Sequence, residues 1–160
     1  SRPVNIASSS FSQELADKNI SWYDGKGKLE DELKSQIMNL GLEKNVFLKG
    51  SSAKIHEDIA DAEIFALPSD YEGLSNALLE AMMMGHACVS TNCAGSDEAI
   101  TDGENGLLVE VGSAKQMEEA LEKLITDDEL RIKIGNNAKE SAKAFYVDNV
   151  IDMWKKVIEG

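Results

Sequence analysis

The sequence predicts an α/β domain: a parallel sheet flanked by helices, followed by a helical C-terminal tail. Two patterns carry that expectation. From Ile20 onward, short apolar runs alternate with longer segments of helical period, as repeated strand–helix units around a parallel sheet require. After Val109 the short runs stop and only the helical period continues.

The strands are expected at Ile20 to Tyr23, Val46 to Leu48, Ile64 to Leu67, Ala87 to Ser90 and Gly106 to Val109. Between them Leu29, Leu33, Ile37, Met38 and Leu40 recur at helical spacing, and Gly41 supplies the C-terminal stop. Ile55, Ile59 and Ala62 predict a shorter helix with Ser51 or Ser52 as its N-cap, and Asn76 to Met84 a third that Gly85 ends. In the tail, Met117, Leu121, Leu124 and Ile125 face one way, followed by Leu130, Ile134 and Ala138. Val147 to Ile158, carrying Val150, Ile151, Trp154 and Val157, reads as a last amphipathic helix. Such a tail covers this sheet or packs on a neighbour outside the sequence. Residues 1–19 hold the run Ser8-Ser9-Ser10 and show no clear period before Phe11. They are expected to be a truncated or irregular N-terminal segment, with the domain proper at 20–160.

At 160 residues, 42% hydrophobic and 28% charged, the chain is long enough and apolar enough for one domain with a real core. Its apolar runs fall far short of the roughly twenty residues of a membrane span. Sixteen basic against 29 acidic side chains give a net charge of −13, which works against contact with nucleic acid or an anionic membrane. Any phosphate has to be met locally. Cys88 and Cys93 lack the second pair or the histidines of a zinc site and are expected to be reduced structural thiols. No basic segment followed by an apolar run opens the chain, so a cytoplasmic setting is the default expectation, with peripheral membrane association left to a longer form.

The most informative stretch runs from Leu67 to Gly85, L-P-S-D-Y-E-G-L-S-N-A-L-L-E-A-M-M-M-G. A strand ends in a Pro-Ser turn and a glycine precedes a helix start. In an open parallel sheet the crevice beyond the carboxyl ends of the strands is where ligands bind. Gly73 admits a ligand close to the backbone, and the N–H groups of Leu74, Ser75 and Asn76 point out of the helix start. That is a phosphate site needing neither lysine nor metal. Glu72 stands at the mouth of the loop, and Glu80 lies about 7 to 8 Å further along the helix axis at the standard rise. Two carboxylates therefore flank one cleft.

Glu72 to Glu80 is an E-x7-E motif, and its setting of P-S-x-x-E-G before and E-A-M-x-x-G after resembles the retaining glycosyltransferases grouped as family 4, which have the two-domain GT-B fold. Further segments resemble the same family in order and spacing. Gly25-Lys26-Gly27-Lys28-Leu29 is similar to its strand-ending G-x-G-P-L, and Leu42 to Gly50 to its L-x-x-x-V-x-F-x-G run. Ala94 to Ile100 is similar to G-G-x-x-E-I-I, and Asp102 to Val109 to D-G-x-N-G-x-L-V. The resemblance covers Ile20 to Gly160 and implies a Rossmann-like sheet forming the C-terminal, donor-binding half of a GT-B fold.

It implies as donor substrate a nucleotide diphosphate sugar of the UDP or GDP type, with no cofactor and no metal. Glu80 would bind the ribose hydroxyls, and Glu72, the catalytic candidate, would contact hydroxyls of the transferred hexose. The backbone of Gly73, Leu74 and Ser75 would lie against sugar and diphosphate. A carboxylate, which only accepts hydrogen bonds, suits a vicinal diol. The acceptor, a glycan, lipid or other molecule, would be bound by a missing N-terminal domain, so the chain alone is expected to be inactive in transfer, a step of polysaccharide biosynthesis.

There are departures. The family's first strand leads into G-R-L-x-x-x-K-G, and no such segment precedes Ile20, so about thirty residues of a first strand–helix unit are expected to be missing. Lys28 stands where proline is usual, and His86-Ala87 where x-Pro is more frequent. A non-catalytic nucleotide-binding α/β module and a GT-B epimerase acting on nucleotide sugars are the alternative readings. A flavin or nicotinamide domain is a poorer fit, because Gly25 to Glu30 lacks the third glycine of G-x-G-x-x-G. Other residues have plainer roles. Met82, Met83 and Met84 read as core filler, Gly103 with Gly106 as a turn, His56 and His86 as surface or packing residues, and Trp22 and Trp154 as core anchors.

Overall fold

The computed structural model describes residues 4–6, 20–22, 30–39, 41, 43–44, 46–48, 55–68, 75–93 and 95–159. Its strands are β1 Val4–Ile6, β2 Ile20–Trp22, β3 Val46–Leu48, β4 Ile64–Leu67, β5 Ala87–Thr91 and β6 Leu107–Val109. They form one parallel sheet in the order β3-β2-β1-β4-β5-β6. The helices are α1 Glu30–Asn39, α2 Ile55–Asp58, α3 Asn76–Met83, α4 Ser96–Ala99, α5 Ala114–Thr126 and α6 Asp128–Glu159.

Parallel neighbours need a crossover, and right-handed crossovers put helices on one face while the chain moves one way and on the other face when it moves back. This chain winds outward from β1 to β3, returns to the far side of β1 as β4, and winds outward again to β6. Two cores result. On one face Ile64, Ala66, Val89 and Leu107 pack against Ile37 of α1 and Met117, Leu121 and Leu124 of α5. On the other, Phe65, Leu67 and Cys88 pack against Ile59, Ile100, and Leu78, Ala81 and Met82 of α3. Alternate residues of β4 and β5 feed opposite cores, so both strands are buried along their whole length. Burying each large apolar side chain contributes about 1.5–3 kcal/mol.

Helix α6 joins the faces, with Ile134 in the first core and Ala138 and Ala142 in the second. It crosses at Gly135, where an added Cβ would overlap the carbonyl oxygen of Gly85 just before β5. Its first turn is pinned. Asp127 Oδ1 accepts from the Leu130 N–H at 2.9 Å as an N-cap, and Arg131 donates to the Leu124 carbonyl at 2.9 Å while pairing with Asp128 at 2.8 Å.

All five expected strands are present, with Gly106 just before β6 and Tyr23 among the residues that lie outside the described ones. The sheet has a sixth, β1, at its centre, from the segment read as irregular. Val-Asn-Ile is too short to display a period, and residues 7–19 lie outside the described residues, as do Gly25 to Leu29 and the caps expected at Ser51 or Ser52. The two last helices of the sequence reading are one continuous α6, because no glycine or proline stands between Ala138 and Val147 to end it. Beyond Ala142 it leaves the cores. Trp154 is consequently 62% exposed rather than a core anchor, beside exposed Val147, Ile151, Val157 and Ile158. Met82 fills the core as expected, whereas Met83 and Met84, each 37% exposed, face outward at the helix end. The side chains of Trp22 and His56 lie outside the described residues.

His86 is buried between α3 and β5. Burial pushes its pKa below the ordinary 6.5, opposed by hydrogen bonds to the backbone of Ala62 and Ile59 that favour the charged ring. A histidine that is reluctant to ionise when folded is protonated first in the unfolded chain. Stability is therefore lost as pH falls below 6.5 toward the folded-state value. We expect His86→Gln to flatten the dependence of the urea midpoint on pH between about 7.5 and 5.5; an unaltered slope would exclude His86 as its source. For Gly135 two effects compete, since alanine in a helix interior is favoured over glycine by about 0.8–1.0 kcal/mol. The overlap is with backbone, which cannot rotate aside. Gly135→Ala is expected to destabilise the fold by about 1–3 kcal/mol in urea unfolding, and a stabilised variant would contradict the crossing.

Candidate functional site

The winding reverses between β1 and β4, and at such a reversal the loops leaving the carboxyl ends diverge to opposite faces and open a crevice. The segment after Leu67 leaves β4 at this point and ends at α3. Ser75, next to the helix, has extended backbone with φ −76° and ψ 123°, and its Oγ accepts from the Leu78 N–H at 3.3 Å. The hydroxyl is thus spent on the cap, as an N-cap serine's is. The Ser75 side chain is therefore engaged within the helix cap.

Buried Leu78, Leu79, Ala81 and Met82 fix the rotation of α3 about its axis. Asn76 and Met83 then face out, and Glu80 lies half-buried at the border with one carboxylate oxygen withdrawn from solvent. Glu80 stands five residues beyond Ser75, about 7.5 Å along the axis. Ser75 and Glu80 thus belong to one helix, the first as its N-cap and the second on its body. Glu72, Gly73 and Leu74 lie outside the described residues.

Across from α3, a buried polar cluster went unread in the sequence. The Leu67 carbonyl at the end of β4 accepts from Ser90 Oγ at 3.2 Å and from Thr91 Oγ1 at 3.5 Å. Ser90 Oγ lies 2.9 Å from Ser96 Oγ, the first residue of α4, and Ser96 Oγ is 3.7 Å from Cys93 Sγ. The available signal was two successive hydroxyl residues closing a strand otherwise made of apolar ones.

The Asp102-Gly103-Glu104-Asn105-Gly106 segment is a turn, as expected. Asn105 Oδ1 accepts from the Thr101 N–H at 2.7 Å, its Nδ2 donates to the Ala99 carbonyl at 3.1 Å, and Asp102 Oδ1 accepts from the Leu108 N–H at 2.9 Å. Gly103 has φ +79°, and a Cβ at Gly106 would press on the Ile100 side chain. Cys88 and Cys93 are both free and buried. Burial pushes the Cys88 thiol up, and its Sγ donates to the His86 carbonyl at 3.4 Å, so it is an inert packing residue.

A parallel sheet that reverses its winding at the centre and carries a capped helix start at the reversal defines a doubly wound α/β domain. Its outline is shared with solved GT-B glycosyltransferases. TarM of S. aureus superposes on 99% of this chain and 36% of its own with a TM-score of 0.82 at 24% identity, and Anabaena Alr3699/HepE on 98% and 48% with 0.81 at 23%. The C-terminal domain of LpcC, a glycosyl transferase group 1 family protein from Francisella tularensis, matches 91% of this chain and 86% of its own with 0.75 at 27% identity.

The chain belongs to the glycosyl transferases group 1 family, whose profile matches residues 24–141. It is 41% identical over 122 residues to the N-acetylgalactosamine-N,N'-diacetylbacillosaminyl-diphospho-undecaprenol 4-alpha-N-acetylgalactosaminyltransferase of Campylobacter jejuni, covering 76% of this chain and 33% of that one. It is 31% identical over 120 residues to the lipopolysaccharide core biosynthesis glycosyltransferase LpsE of Rhizobium meliloti, covering 75% and 35%. The chain thus spans about a third of the length of these curated relatives.

Loss of the Ser75 hydroxyl leaves the Leu78 N–H without its cap. Ser75→Ala is expected to cost about 1 kcal/mol and Ser75→Asp, which caps equally well, only a few tenths. Thermal unfolding of the two variants measures this, and equal losses would deny the cap its role.

Proposed function

We propose that this domain binds the nucleotide diphosphate sugar of a retaining glycosyltransferase, and that an acceptor-binding domain elsewhere in the protein completes the active site. One observation carries the reading: the E-x7-E segment begins in the loop that leaves β4 at the winding reversal and ends on α3. An Anabaena protein of this fold, crystallised with UDP and with UDP-glucose, supports a nucleotide-sugar ligand. The undecaprenol-linked saccharide in the name of the Campylobacter relative supports an acceptor of lipid-linked glycan type. The exposed apolar residues of α6 from Val147 to Ile158 support a surface for the acceptor-binding domain.

In this reading an acceptor hydroxyl oxygen bonds to the anomeric carbon as the bond between that carbon and the β-phosphate oxygen breaks, negative charge gathers on the departing diphosphate, and the hydroxyl's proton passes to it. Backbone N–H groups of Gly73, Leu74 and Ser75, at the positive end of the α3 dipole, meet that charge. Glu80 accepts hydrogen bonds from the ribose hydroxyls and sets the nucleotide. Glu72 accepts from hydroxyls of the hexose and orients it as positive charge develops at the anomeric carbon.

The chain alone is expected to transfer no sugar yet to bind UDP or GDP with about −4 to −6 kcal/mol, an affinity from about millimolar down to tens of micromolar. Because a hydrogen bond to a charged group contributes about 1.5–3 kcal/mol, Glu80→Gln should weaken nucleoside diphosphate binding by about one to two orders of magnitude. Glu72→Gln should leave it nearly unchanged. Calorimetric or NMR titration separates the two carboxylates, and equal weakening of both, or of neither, would overturn the division of roles.

A further inference from the structure

We propose that Ser90 is a positioning residue for the donor site, its hydroxyl tying the end of β4, where the donor loop begins, to the start of α4. The inference rests on the donor-binding reading and adds to it a residue that lies outside the E-x7-E motif.

Counting protons orients the cluster. A serine hydroxyl has one proton and two lone pairs. Ser90 Oγ lies 3.2 Å from the Leu67 carbonyl, 3.3 Å from the Thr91 carbonyl and 2.9 Å from Ser96 Oγ. A carbonyl only accepts, so a Ser90 proton given to Leu67 requires Ser96 to donate to Ser90. In the proposed arrangement donation runs from Ser96 through Ser90 to the carbonyl of Leu67. Every side chain in it is closed to water, Ser90 at 0% exposure and Ser96 at 2%. A hydroxyl so buried has to find its partners within the protein.

Leu67 is where such a tie matters. Among the described residues the last register pair between β1 and β4 is Ile6 with Ala66, and Leu67 at the end of β4 is paired on the β5 side with Ser90. Pro68 follows it, carries no N–H and disfavours helical backbone at Leu67. The direction in which the chain leaves β4 is thus set by the Leu67 peptide and the hydroxyls holding its oxygen. Ser90 alternates with Val89, whose side chain lies in the core under α5, and so faces the α3 side together with Cys88. The same hydroxyl therefore holds the root of the donor loop and the first turn of α4, on the face where α3 begins.

The test uses this chain with Ser90→Ala and Ser96→Ala, titrated by NMR with UDP and separately with uridine. UDP reports on the N–H groups that the loop presents to the diphosphate, whereas uridine reports on the ribose contact at Glu80. Ser90→Ala is expected to weaken UDP about five- to tenfold and leave uridine within about twofold. Ser96→Ala, which spares the bond to Leu67, should act in the same direction and less, and it carries the comparison if Ser90→Ala does not fold. A folded variant with a lower melting temperature but unaltered UDP affinity would make Ser90 merely structural and overturn the proposal. Absence of UDP-dependent shifts in the unmodified chain would overturn the donor-site reading itself.

Discussion

Parallel strands cannot be joined by tight turns, and the rest of this structure depends on that constraint. Each connection has to return from the carboxyl edge to the amino edge through a crossover. Every helix start that follows a strand therefore lies at one edge of the sheet. The reversal at β1 selects one place along that edge, since there neighbouring loops diverge instead of stacking. The E-x7-E segment leaves from this place. Its position is a property of the winding before it is a property of any glutamate.

The constraint also explains why small residues matter far from the crevice. A helix that follows the last strand can cover one face only, unless it passes an edge of the sheet to reach the other. Helix α6 does so beneath the amino end of β5, and the close approach is possible because Gly135 meets the backbone at Gly85. The anchor at Arg131 sets the helix's direction one turn earlier. Continuing in that direction, the helix runs out of core after Ala142 and presents Val147, Ile151 and Trp154 to solvent. One crossing fixes both the closure of the domain and the exposure of its tail.

Sequence and structure agree where the signal is periodic or chemical. Ile64 to Leu67 and Ala87 to Ser90 are recognisable as strands because both faces of each are buried and the apolar run is continuous. Helix α3 is legible from its apolar run and the glycine that ends it. β1 is not legible, because three residues make no period and their pairing with Ile20 and Ile64 is long-range information. Trp154 misled for a related reason: an apolar face on a helix says that something covers it, without saying what. Glu80 and Ser75 are candidates through the E-x7-E motif and the free N–H groups of a helix start, both local signals. The Ser90 tie was missed because its partners, Leu67 and Ser96, lie 23 and 6 residues away and meet only in the folded sheet.

A net charge of −13 is compatible with the proposed nucleotide-sugar ligand for a physical reason. At physiological salt, exposed charges are screened beyond about 8 Å, so most surface carboxylates act weakly on the crevice. Within that distance what counts is the direction of dipoles, and a helix start turns N–H groups toward the ligand without adding a charge. Neutral donors hold a phosphate only when they are aimed. In the donor-binding proposal the geometry of the loop root, rather than the number of basic side chains, is therefore the quantity on which affinity depends. A buried hydroxyl chain suits this task better than a surface ion pair, because its partners are fixed by packing and undisturbed by salt. The polar residues that matter most to such a domain therefore include some that never touch the ligand.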